Sequence, residues 1–379
     1  MRNTTYQICN KCVMDISDAN IKFNKEGICD HCITFEKHTN KNWHKGLSAE
    51  KKIISIVEKI KKNGKGKDFD CILGMSGGVD SSFLLYQAKE IFGLRPLVFH
   101  VDCGWNSQEA VNNIEKLVDS LGLDLYTEVI DWREMRDLQL AFFKSGVSHI
   151  DSPQDNAIFA TIYKYANKYN IRFILTGSNL STEGIRNPIE WMYFQSDSKQ
   201  IKDIHKKFGT VPLIHYPLTS ILHHKIYLPI VKGLTVLKLL NYVTYDKNLA
   251  MKTLINKYGW QPYPQKHFES RFTRFYESYW LPMRFGYDVR RVQFSSMILT
   301  GQMTRNDALE KLKQPSYDES TISYDTEYIA NKLGVTVSEL NSYMVLPKRS
   351  YRNYKSHWLL YNIGSKIMKI LRMEVGGKR

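Results

Sequence analysis

The stretch LGMSGGVDSSFLL, residues 73–85, joins a short apolar run to a segment with helical periodicity. Its glycines, Gly77 and Gly78, allow a tight turn and a close approach of the backbone to a ligand. The helix that begins here offers free N–H groups and the positive end of its dipole to a phosphate. The lysine of a kinase-type loop, G-x-x-x-x-G-K-[ST], is absent. The stretch therefore predicts a phosphate-binding loop of another kind.

Short apolar strands alternate with amphipathic helices around this loop. We predict strands over residues 69–75, 96–102, 124–130 and 172–178. We predict helices over residues 80–92, from a capping-box pair Asn106 and Glu109 to Gly122, near 132–143 and near 154–169. This alternation indicates a doubly wound parallel α/β sheet with ligands at the carboxyl ends of its strands. After about residue 235 the predicted strands end, and the chain becomes aromatic, basic and mostly helical.

The composition limits the partners and the compartment. The chain has 379 residues and a formal net charge of +15, which indicates an anionic ligand or partner. Nucleic acid, a nucleotide sugar, an acidic protein and a membrane surface all fit that charge. The sequence has no run of 18 apolar residues, so we expect no transmembrane segment. Because it also shows no apolar signal-peptide region at its start, we expect a cytoplasmic protein with reduced cysteines.

Four of the six cysteines form two C-x₂-C pairs, Cys9 with Cys12 and Cys29 with Cys32. Their spacing is typical of a zinc site, and four thiolates make a closed, structural Zn²⁺ centre. His31 could replace one cysteine, but we expect it to be a solvated loop residue. Of the two other cysteines, Cys71 is expected in the core. Cys103 follows the second strand and lies either near a nucleotide or, as we favour, in the core.

The loop resembles the SGGxDS motif of the PP-loop ATP pyrophosphatases (the adenine nucleotide α-hydrolase-like fold), which cleave ATP between its α and β phosphates. The matching residues, which the resemblance assigns to ATP binding, are Ser76, Gly77, Gly78, Val79, Asp80, Ser81 and Ser82. Among them, Ser76, Asp80 and Ser81 are the candidate catalytic residues.

Two more segments complete the predicted nucleotide site. Asp102, at the end of the second strand, is a candidate for ribose and adenine contact, or alternatively a helix cap. In TGSNLSTEG, residues 176–184, the resemblance points to Gly177 and Ser178 for the nucleotide and to Glu183 for Mg²⁺. This stretch lacks the usual His and paired Asp of the superfamily, and the alternative for Glu183 is a surface acid of the loop.

Three stretches together resemble the N-acetyl sugar amidotransferases of the WbpG and PseA type: residues 9–32, the loop, and KHFESRFTRFYESYWLPMRFGYDVRR, residues 266–291. The resemblance covers about residues 6–345. It implies that ATP activates the acetamido group of a nucleotide sugar as an O-adenylyl imidate, which ammonia converts to acetamidino for surface polysaccharide or flagellin sugars. The candidate substrate residues are Lys266, His267, Glu269, Arg271 and Arg274. We expect most aromatic residues of the last stretch to pack in the core.

We predict three parts: a zinc-binding module (1–45), a PP-loop domain (46–235), and a helical region that binds substrate and partners (236–379). The sequence starts Met-Arg-Asn, without the N-terminal cysteine of a class II glutaminase, and no segment has room for a class I glutaminase. The resemblance therefore implies a separate HisH-like glutaminase and a HisF-like ammonia-conducting subunit. The alternatives are a tRNA-modifying PP-loop enzyme (thiolase or lysidine-type synthetase), which the missing second cysteine pair in the sheet domain disfavours, and a non-catalytic nucleotide-binding scaffold.

Overall fold

The computed structural model describes residues 6–370 and contains one parallel five-stranded sheet. The strand order is β3-β2-β1-β4-β5, with β1 in the centre. The strands are β1 Cys71–Gly74, β2 Pro96–Asp102, β3 Leu125–Val129, β4 Phe173–Leu175 and β5 Thr235–Leu237. In register, Leu73 of β1 lies beside Val98 of β2 and Leu175 of β4. The predicted α/β fold class is confirmed.

Helices cover both faces of the sheet and form most of the chain after β5. The helices of the described part up to β4 are α1 Asp30–Thr34, α2 Asn40–Asn42, α3 Leu47–Gly64, α4 Val79–Tyr86, α5 Gln108–Ser120, α6 Trp132–Ser145 and α7 Ser152–Lys168. Those that follow β4 are α8 Leu180–Glu183, α9 Ser198–Phe208, α10 Lys247–Tyr258, α11 Arg271–Phe275, α12 Arg290–Leu299, α13 Arg305–Lys313, α14 Glu319–Leu333, α15 Val337–Ser342 and α16 Trp358–Ile370. Wider, π-helical turns occur at Phe35–Thr39, Gln87–Ile91, His223–Val231 and Tyr276–Phe285. Short 3₁₀ turns occur at Leu239–Tyr242, Tyr343–Val345 and Tyr351–Asn353.

Two hydrophobic cores lie on opposite faces of the sheet because successive strand residues point to opposite sides. Ile72 of β1 packs into the core under α6 and α7, which also contains Phe99 and Phe142. The next residue, Leu73, packs into the core under α3, α4, α5 and α10 with Val98. The three inner strands, β1, β2 and β4, are therefore buried on both faces, so a ligand can reach them only at their ends.

Two details of the sequence prediction were wrong. Helix α5 begins at Gln108 and is capped by Ser107, whose hydroxyl accepts a hydrogen bond from the Ala110 N–H at 3.2 Å. The predicted capping box of Asn106 and Glu109 does not form, since Asn106 lies outside the helix. The strand β5 was missed because three residues are too few to show a period of two.

The N-terminal segment packs against the helices α12 and α13. The Arg305 guanidinium on α13 donates to the carbonyl oxygens of Cys9 at 2.8 Å and Cys12 at 3.0 Å. The Val13 N–H donates to the Ser295 hydroxyl on α12 at 3.1 Å. Arg291 of α12 also pairs with Asp15 at 3.1 Å. The cysteine segment is therefore attached to the C-terminal helices, far along the chain.

The C-terminal helix α16 ends the described part of the chain. It agrees with the amphipathic helix that the sequence predicts from residue 357, whose final residues, 371–375, lie outside the described residues. Tyr361 stacks on Phe194 with ring centroids 3.8 Å apart, which attaches α16 to the body of the protein. Within residues 6–370, every helix is too short or too polar to cross a membrane.

Candidate active site and candidate metal centre

The loop between β1 and α4 has the backbone geometry of an anion cradle. Gly77 has a φ of +82°, and a Cβ at this position would lie 2.7 Å from the Ala110 carbonyl oxygen. Only glycine fits there without strain. In the described part of the chain, the backbone N–H groups of Gly77, Val79 and Asp80 donate no hydrogen bond. The beginning of α4 therefore presents unpaired N–H groups, which is what a phosphate requires.

Residues from the C-terminal region hold this loop in place. The Gly77 carbonyl oxygen accepts hydrogen bonds from the Trp260 indole N–H at 3.1 Å and from the Tyr263 hydroxyl at 3.3 Å. Inside the loop, the hydroxyls of Ser76 and Ser81 lie 3.1 Å apart. The Gly77 carbonyl oxygen is therefore paired within the chain. We refer to the region around this loop and Asp80 as the cleft.

Asp80, the first carboxylate of α4, is the centre of a polar network. It accepts hydrogen bonds from the Asn179 amide at 3.2 Å and from the Tyr245 hydroxyl. The Lys266 ammonium lies 3.3 Å from the same carboxylate and 2.6 Å from Glu183. Lys266 therefore links the loop to the segment that follows β4. The Asp80 carboxylate is contacted by Asn179, Tyr245 and Lys266, which come from three other parts of the chain.

The charges of this network favour the ionised forms of Lys266 and Glu183. Burial disfavours the charged form of Lys266, but Glu183 and Asp80 outweigh it and raise the pKa of the ammonium. Burial likewise disfavours the Glu183 carboxylate, yet Lys266, His267 and Lys238 lower its pKa. Ionised carboxylate oxygens are the donors that Mg²⁺ prefers, so Asp80 and Glu183 suit that ion chemically.

Of the residues predicted after β4 and β2, Gly177 lies against the loop, whereas Ser178 and Asp102 bond within their own turns. A Cβ on Gly177 would lie 2.8 Å from the Ser81 backbone nitrogen, so glycine permits this contact between the two segments. The Ser178 N–H donates to the Thr176 hydroxyl at 3.4 Å. Asp102 accepts hydrogen bonds from the Gly104 N–H at 2.7 Å and the Asn106 amide at 3.0 Å, so it caps the turn that leads to α5.

The predicted substrate segment divides into two groups. Glu269 lies at the loop, 3.3 Å from the Ser76 hydroxyl, and the Ser107 N–H donates to its backbone carbonyl at 2.9 Å. His267 has a positive φ of 65°, and its ring nitrogen lies 3.0 Å from Glu277. These two residues, with Lys266, border the cleft.

The other two, Arg271 and Arg274, share one carboxylate of a distant helix. Both guanidinium groups pair with Asp325 of α14, at 3.0 Å and 2.6 Å, and Asp325 is fully buried. They attach α11 to α14, because a buried carboxylate needs paired donors. The aromatic residues of the same segment, such as Phe272 and Trp280, are buried as predicted.

Sequence reasoning missed three residues of the cleft: Asn179, Tyr245 and Lys247. The first two bind Asp80, as described above. Lys247 begins α10, and burial lowers its pKa while the Asp80 charge raises it. In the described part of the chain, its side chain has no hydrogen-bond or ion-pair partner. Nothing in the local sequence marks these residues, since their role depends on a contact with a distant loop.

The four predicted zinc ligands converge. The side chains of Cys9, Cys12, Cys29 and Cys32 are fully buried, and their sulfur atoms all lie within 4.8 Å of one another. The Cys9–Cys32 and Cys12–Cys29 sulfur distances are 3.8 Å and 3.6 Å. A tetrahedral zinc ion with Zn–S bonds of about 2.3 Å requires sulfur atoms about 3.8 Å apart. The cluster therefore fits Zn²⁺.

The remaining cysteines and His31 have structural surroundings. His31 is buried and lies 2.8 Å from Asp18, so the expectation of a solvated loop histidine was wrong. Cys71 is buried in β1, as expected. Cys103 is also in the core, and burial raises the pKa of its thiol well above the ordinary value.

In its parallel α/β fold and its SGGxDS loop, the chain is similar to the PP-loop ATP pyrophosphatases. Residues 269–368 match the family described as "LPS biosynthesis protein WbpG-like, C-terminal domain". The resemblance to WbpG-type proteins is thereby confirmed, and this part of the chain is similar to the WbpG-like C-terminal domain.

Two curated relatives match other parts of the chain. The uncharacterized protein MJ1599 of Methanocaldococcus jannaschii is 31% identical over 177 residues, which is 45% of this chain and 59% of that protein. The tRNA-specific 2-thiouridylase MnmA 2 of Fusobacterium nucleatum is 28% identical over 123 residues, which is 30% of this chain and 34% of that protein. The chain therefore spans about a third to three fifths of the length of these relatives.

Two solved structures are similar at low identity. The NH3-dependent NAD synthetase from Campylobacter jejuni is 15% identical, with a TM-score of 0.30 and coverage of 80% of this chain and 99% of that one. The NMN synthetase from Francisella tularensis is 14% identical, with a TM-score of 0.29 and coverage of 59% and 100%.

Proposed function

We propose that the chain is an ATP-dependent amidotransferase that converts the acetamido group of a nucleotide-linked N-acetyl sugar to acetamidino. The observation that carries this proposal is the contact between the loop and the region that continues into the WbpG-like domain. Trp260, Tyr263 and Lys266 hold the loop, and Glu269, the first residue of the matched domain, lies at its mouth. A sugar bound by that domain would thus meet the α-phosphate of ATP.

The carbonyl group of an acetamido substituent reacts poorly with ammonia. The proposed reaction therefore begins with its activation by ATP. The acetamido oxygen attacks the α-phosphorus of ATP, an O–P bond forms, and pyrophosphate leaves as the α–β phosphoanhydride bond breaks. Ammonia then adds to the imidate carbon and AMP leaves with the former acetamido oxygen. The free N–H groups of Gly77, Val79 and Asp80 would hold the departing pyrophosphate, since they are fixed before the charge develops. Lys247, with its unpaired ammonium, would neutralise it further.

Two metal ions belong to this proposal in different roles. Zn²⁺ would be held by the four cysteines and stabilise the N-terminal segment, because a closed four-thiolate site leaves no position for a substrate. Mg²⁺ would be held by Asp80 and Glu183 and supply positive charge to the phosphates. For Mg²⁺ to bind there, the Lys266 ammonium must share the Asp80 and Glu183 carboxylates with the ion.

The nitrogen source would be a separate glutaminase. A glutaminase cysteine must be an accessible, activated thiolate. Four of the six cysteines of the chain are in the buried cluster, and Cys71 and Cys103 are buried with raised pKa values. None has the required exposure. We therefore propose a HisH-like glutaminase and a HisF-like ammonia-conducting subunit as partners.

The test is to incubate the pure chain with ATP, Mg²⁺ and a panel of nucleotide-linked N-acetyl sugars, and to measure AMP and pyrophosphate. We expect turnover with ammonium but almost none with glutamine. With ammonium, the rate should rise with pH as the free-base fraction grows. Efficient turnover of glutamine by the pure chain would contradict the proposed partners, and absence of AMP with every sugar would contradict the substrate class.

The runner-up is a tRNA-modifying enzyme, which the match to the thiouridylase of Fusobacterium nucleatum favours. Sulfur transfer requires accessible cysteines near the nucleotide. Cys103 is the cysteine that follows β2, and it is only 5% exposed with a raised thiol pKa. Replacing the sugars in this assay with unmodified tRNA separates the two functions, since only a tRNA enzyme would then release AMP.

A further inference from the structure

The segment from Lys266 to Arg271 crosses the carboxyl edge of the sheet. At its start, the Lys266 ammonium lies 2.6 Å from Glu183, which follows β4. At its end, the Arg271 N–H donates to the Trp105 carbonyl oxygen at 2.8 Å, in the turn that follows β2. Because β1 lies between β4 and β2, the segment passes the end of β1, where the phosphate loop begins. His267, the second residue of the segment, therefore lies at the edge where parallel α/β folds bind their ligands.

Residues on both sides of His267 contact the phosphate loop. The Lys266 ammonium, immediately before it, lies 3.3 Å from the Asp80 carboxylate. The Glu269 carboxylate, two residues after it, accepts a hydrogen bond from the Ser76 hydroxyl at 3.3 Å. The backbone of His267 is thus fixed between two contacts with the loop that would hold the ATP phosphates.

The backbone conformation of His267 is unusual for a residue with a side chain. Its φ is +65°, and in the described part of the chain Asn170 is the other non-glycine residue with a positive φ, at +52°. Asn170 follows the end of α7, where asparagine commonly adopts this conformation. His267 ends no helix. Costly backbone conformations of this kind concentrate at functional sites, where the surrounding structure enforces them.

The Glu277 carboxylate orients the imidazole ring of His267. Nδ1 of the ring lies 3.0 Å from both carboxylate oxygens of Glu277, whose side chain is 11% exposed. The other ring nitrogen, Nε2, has no hydrogen-bond partner in the described part of the chain, and 42% of the His267 side chain is exposed. A carboxylate on one ring nitrogen fixes the orientation of the ring and leaves the other nitrogen for a reacting group. This is the geometry of an acid–base catalyst with its positioning residue.

The surrounding charges favour the protonated ring. Partial burial opposes the imidazolium, but the charge and the hydrogen bond of Glu277 outweigh it and raise the pKa of His267 to about 9. Lys266 opposes this effect and Glu269 assists it. From other elements, the ring faces the carboxylates of Asp155 on α7 and Glu183 at the end of α8. His267 can therefore give a proton from Nε2 near neutral pH and then take one back.

We propose that His267 transfers protons in the step in which ammonia attacks the activated acetamido carbon, and that Glu277 positions its ring. This assignment rests on the proposed function, in which the proton of the acetamido N–H leaves with pyrophosphate during activation. As the ammonia nitrogen bonds to the imidate carbon, the C=N electron pair moves to the sugar nitrogen, which takes the Nε2 proton. The ring then takes a proton from the added nitrogen, and AMP leaves with the electron pair of the C–O bond. The product is an acetamidinium cation, and His267 is charged again.

The experiment separates the two half-reactions in a single turnover. The chain is mixed with ATP, Mg²⁺ and the panel of nucleotide-linked N-acetyl sugars, and the burst of pyrophosphate is measured. Ammonium is then added, and formation of the acetamidino sugar is followed by mass spectrometry. His267→Gly keeps the positive φ without strain. It should slow the ammonia step about 100-fold more than the burst, and added imidazole should restore part of the rate.

The matched control is Asn170→Gly, which makes the same change at the other positive φ, in the turn after α7. Both half-reactions of this variant should equal those of the wild-type chain. A second variant, Glu277→Gln, tests the positioning residue. In the wild-type chain, the rate of the ammonia step divided by the free ammonia concentration should fall as the pH rises through about 9. In Glu277→Gln this fall should occur at lower pH, because the carboxylate that favours the imidazolium is gone.

The outcomes distinguish this proposal from the proposed function. A wild-type burst combined with an unchanged ammonia step in His267→Gly would overturn the proton transfer and leave the proposed function intact. An unshifted pH profile in Glu277→Gln would do the same, since an ion pair that only stabilises the fold does not move this profile. Absence of a pyrophosphate burst from the wild-type chain with every sugar would contradict the proposed function and, with it, the role of His267.

Discussion

The cysteine cluster and the cleft around Asp80 are both polar centres, but the chain builds them differently. The cluster takes its four sulfur atoms from residues 9–32 and buries them completely. The cleft takes its groups from segments between residues 76 and 269, and Glu183 within it keeps a side chain that is 36% exposed. A closed site of this kind suits a permanent ion, whereas an open one suits ligands that enter and leave. The predictions below test that contrast.

The largest effect is expected at the closed site. Changing Cys12→Ser removes one thiolate of the four, and structural zinc sites contribute on the order of 10 kcal/mol of binding free energy to folding. We expect loss of bound zinc and a large fall in the thermal unfolding midpoint, measured by elemental analysis and calorimetry.

The matched control for this change is Cys71→Ala, which alters a buried cysteine in β1. It should lower stability but keep about one zinc per chain. Wild-type protein that folds in its reduced form without any metal would disprove the zinc assignment.

The second effect is on activity and is expected at the open site. Asp80→Ala removes the acceptor for Asn179, Tyr245 and Lys266, and Lys266→Met removes the cation that bridges the two carboxylates. We expect each change to lower the rate of pyrophosphate release about 100-fold or more, since such groups act on developing charge. The protein should remain folded, as judged by circular dichroism.

Lys252→Met serves as the control for this pair, because Lys252 is an exposed lysine of α10. Its rate should equal that of the wild-type chain. A folded Asp80→Ala protein with normal turnover would exclude the loop from the mechanism.

The third effect separates two adjacent glycines. Gly77→Ala places a side chain at a positive φ and 2.7 Å from the Ala110 carbonyl oxygen, so it should cost about 1–3 kcal/mol in the free energy of unfolding. Gly78→Ala meets the end of the flexible Glu269 side chain at 2.5 Å, which can move away. Urea unfolding of both variants measures the difference. Equal losses would mean that the backbone of Gly77 is not constrained as described.

The smallest effect is a pH dependence at His267. Burial disfavours its imidazolium, but Glu277 outweighs burial and raises the pKa of His267 to about 9, with Lys266 opposing and Glu269 assisting. A raised pKa means that the charged histidine stabilises the fold. Because 42% of the His267 side chain is exposed, screening by solvent leaves about 1 kcal/mol of this contribution.

This contribution is complete below pH 6.5 and is lost as the pH rises through about 9. The difference in unfolding free energy between the wild-type chain and His267→Gln should therefore be present below that window and disappear above it. Glu277→Gln should remove the same dependence. A difference that is constant across the whole pH range would refute the pairing.

Much of the fold could be predicted from the sequence because its signals are local. The strand β2 has the predicted bounds. Gly77, with its positive φ, lies in the turn between β1 and α4, where the loop motif predicts it. The cysteine spacing predicted a cluster that the structure forms, since four ligands within a short segment need little help from the rest of the chain. Each of these depends on contacts between residues that are near in sequence.

Other features could be decided only by the tertiary structure. Arg271 and Arg274 have the composition of a phosphate clamp, but Asp325, about fifty residues later, takes both. Lys247 and Tyr245 have no local signal, but α10 packs against α4 and brings them to Asp80. A charge binds a ligand only if no partner in the same chain has paired with it, and that depends on which distant elements pack together. The sequence therefore determined the loop, the sheet and the cysteine site, whereas folding decided which of the many cations are paired with carboxylates and which are not.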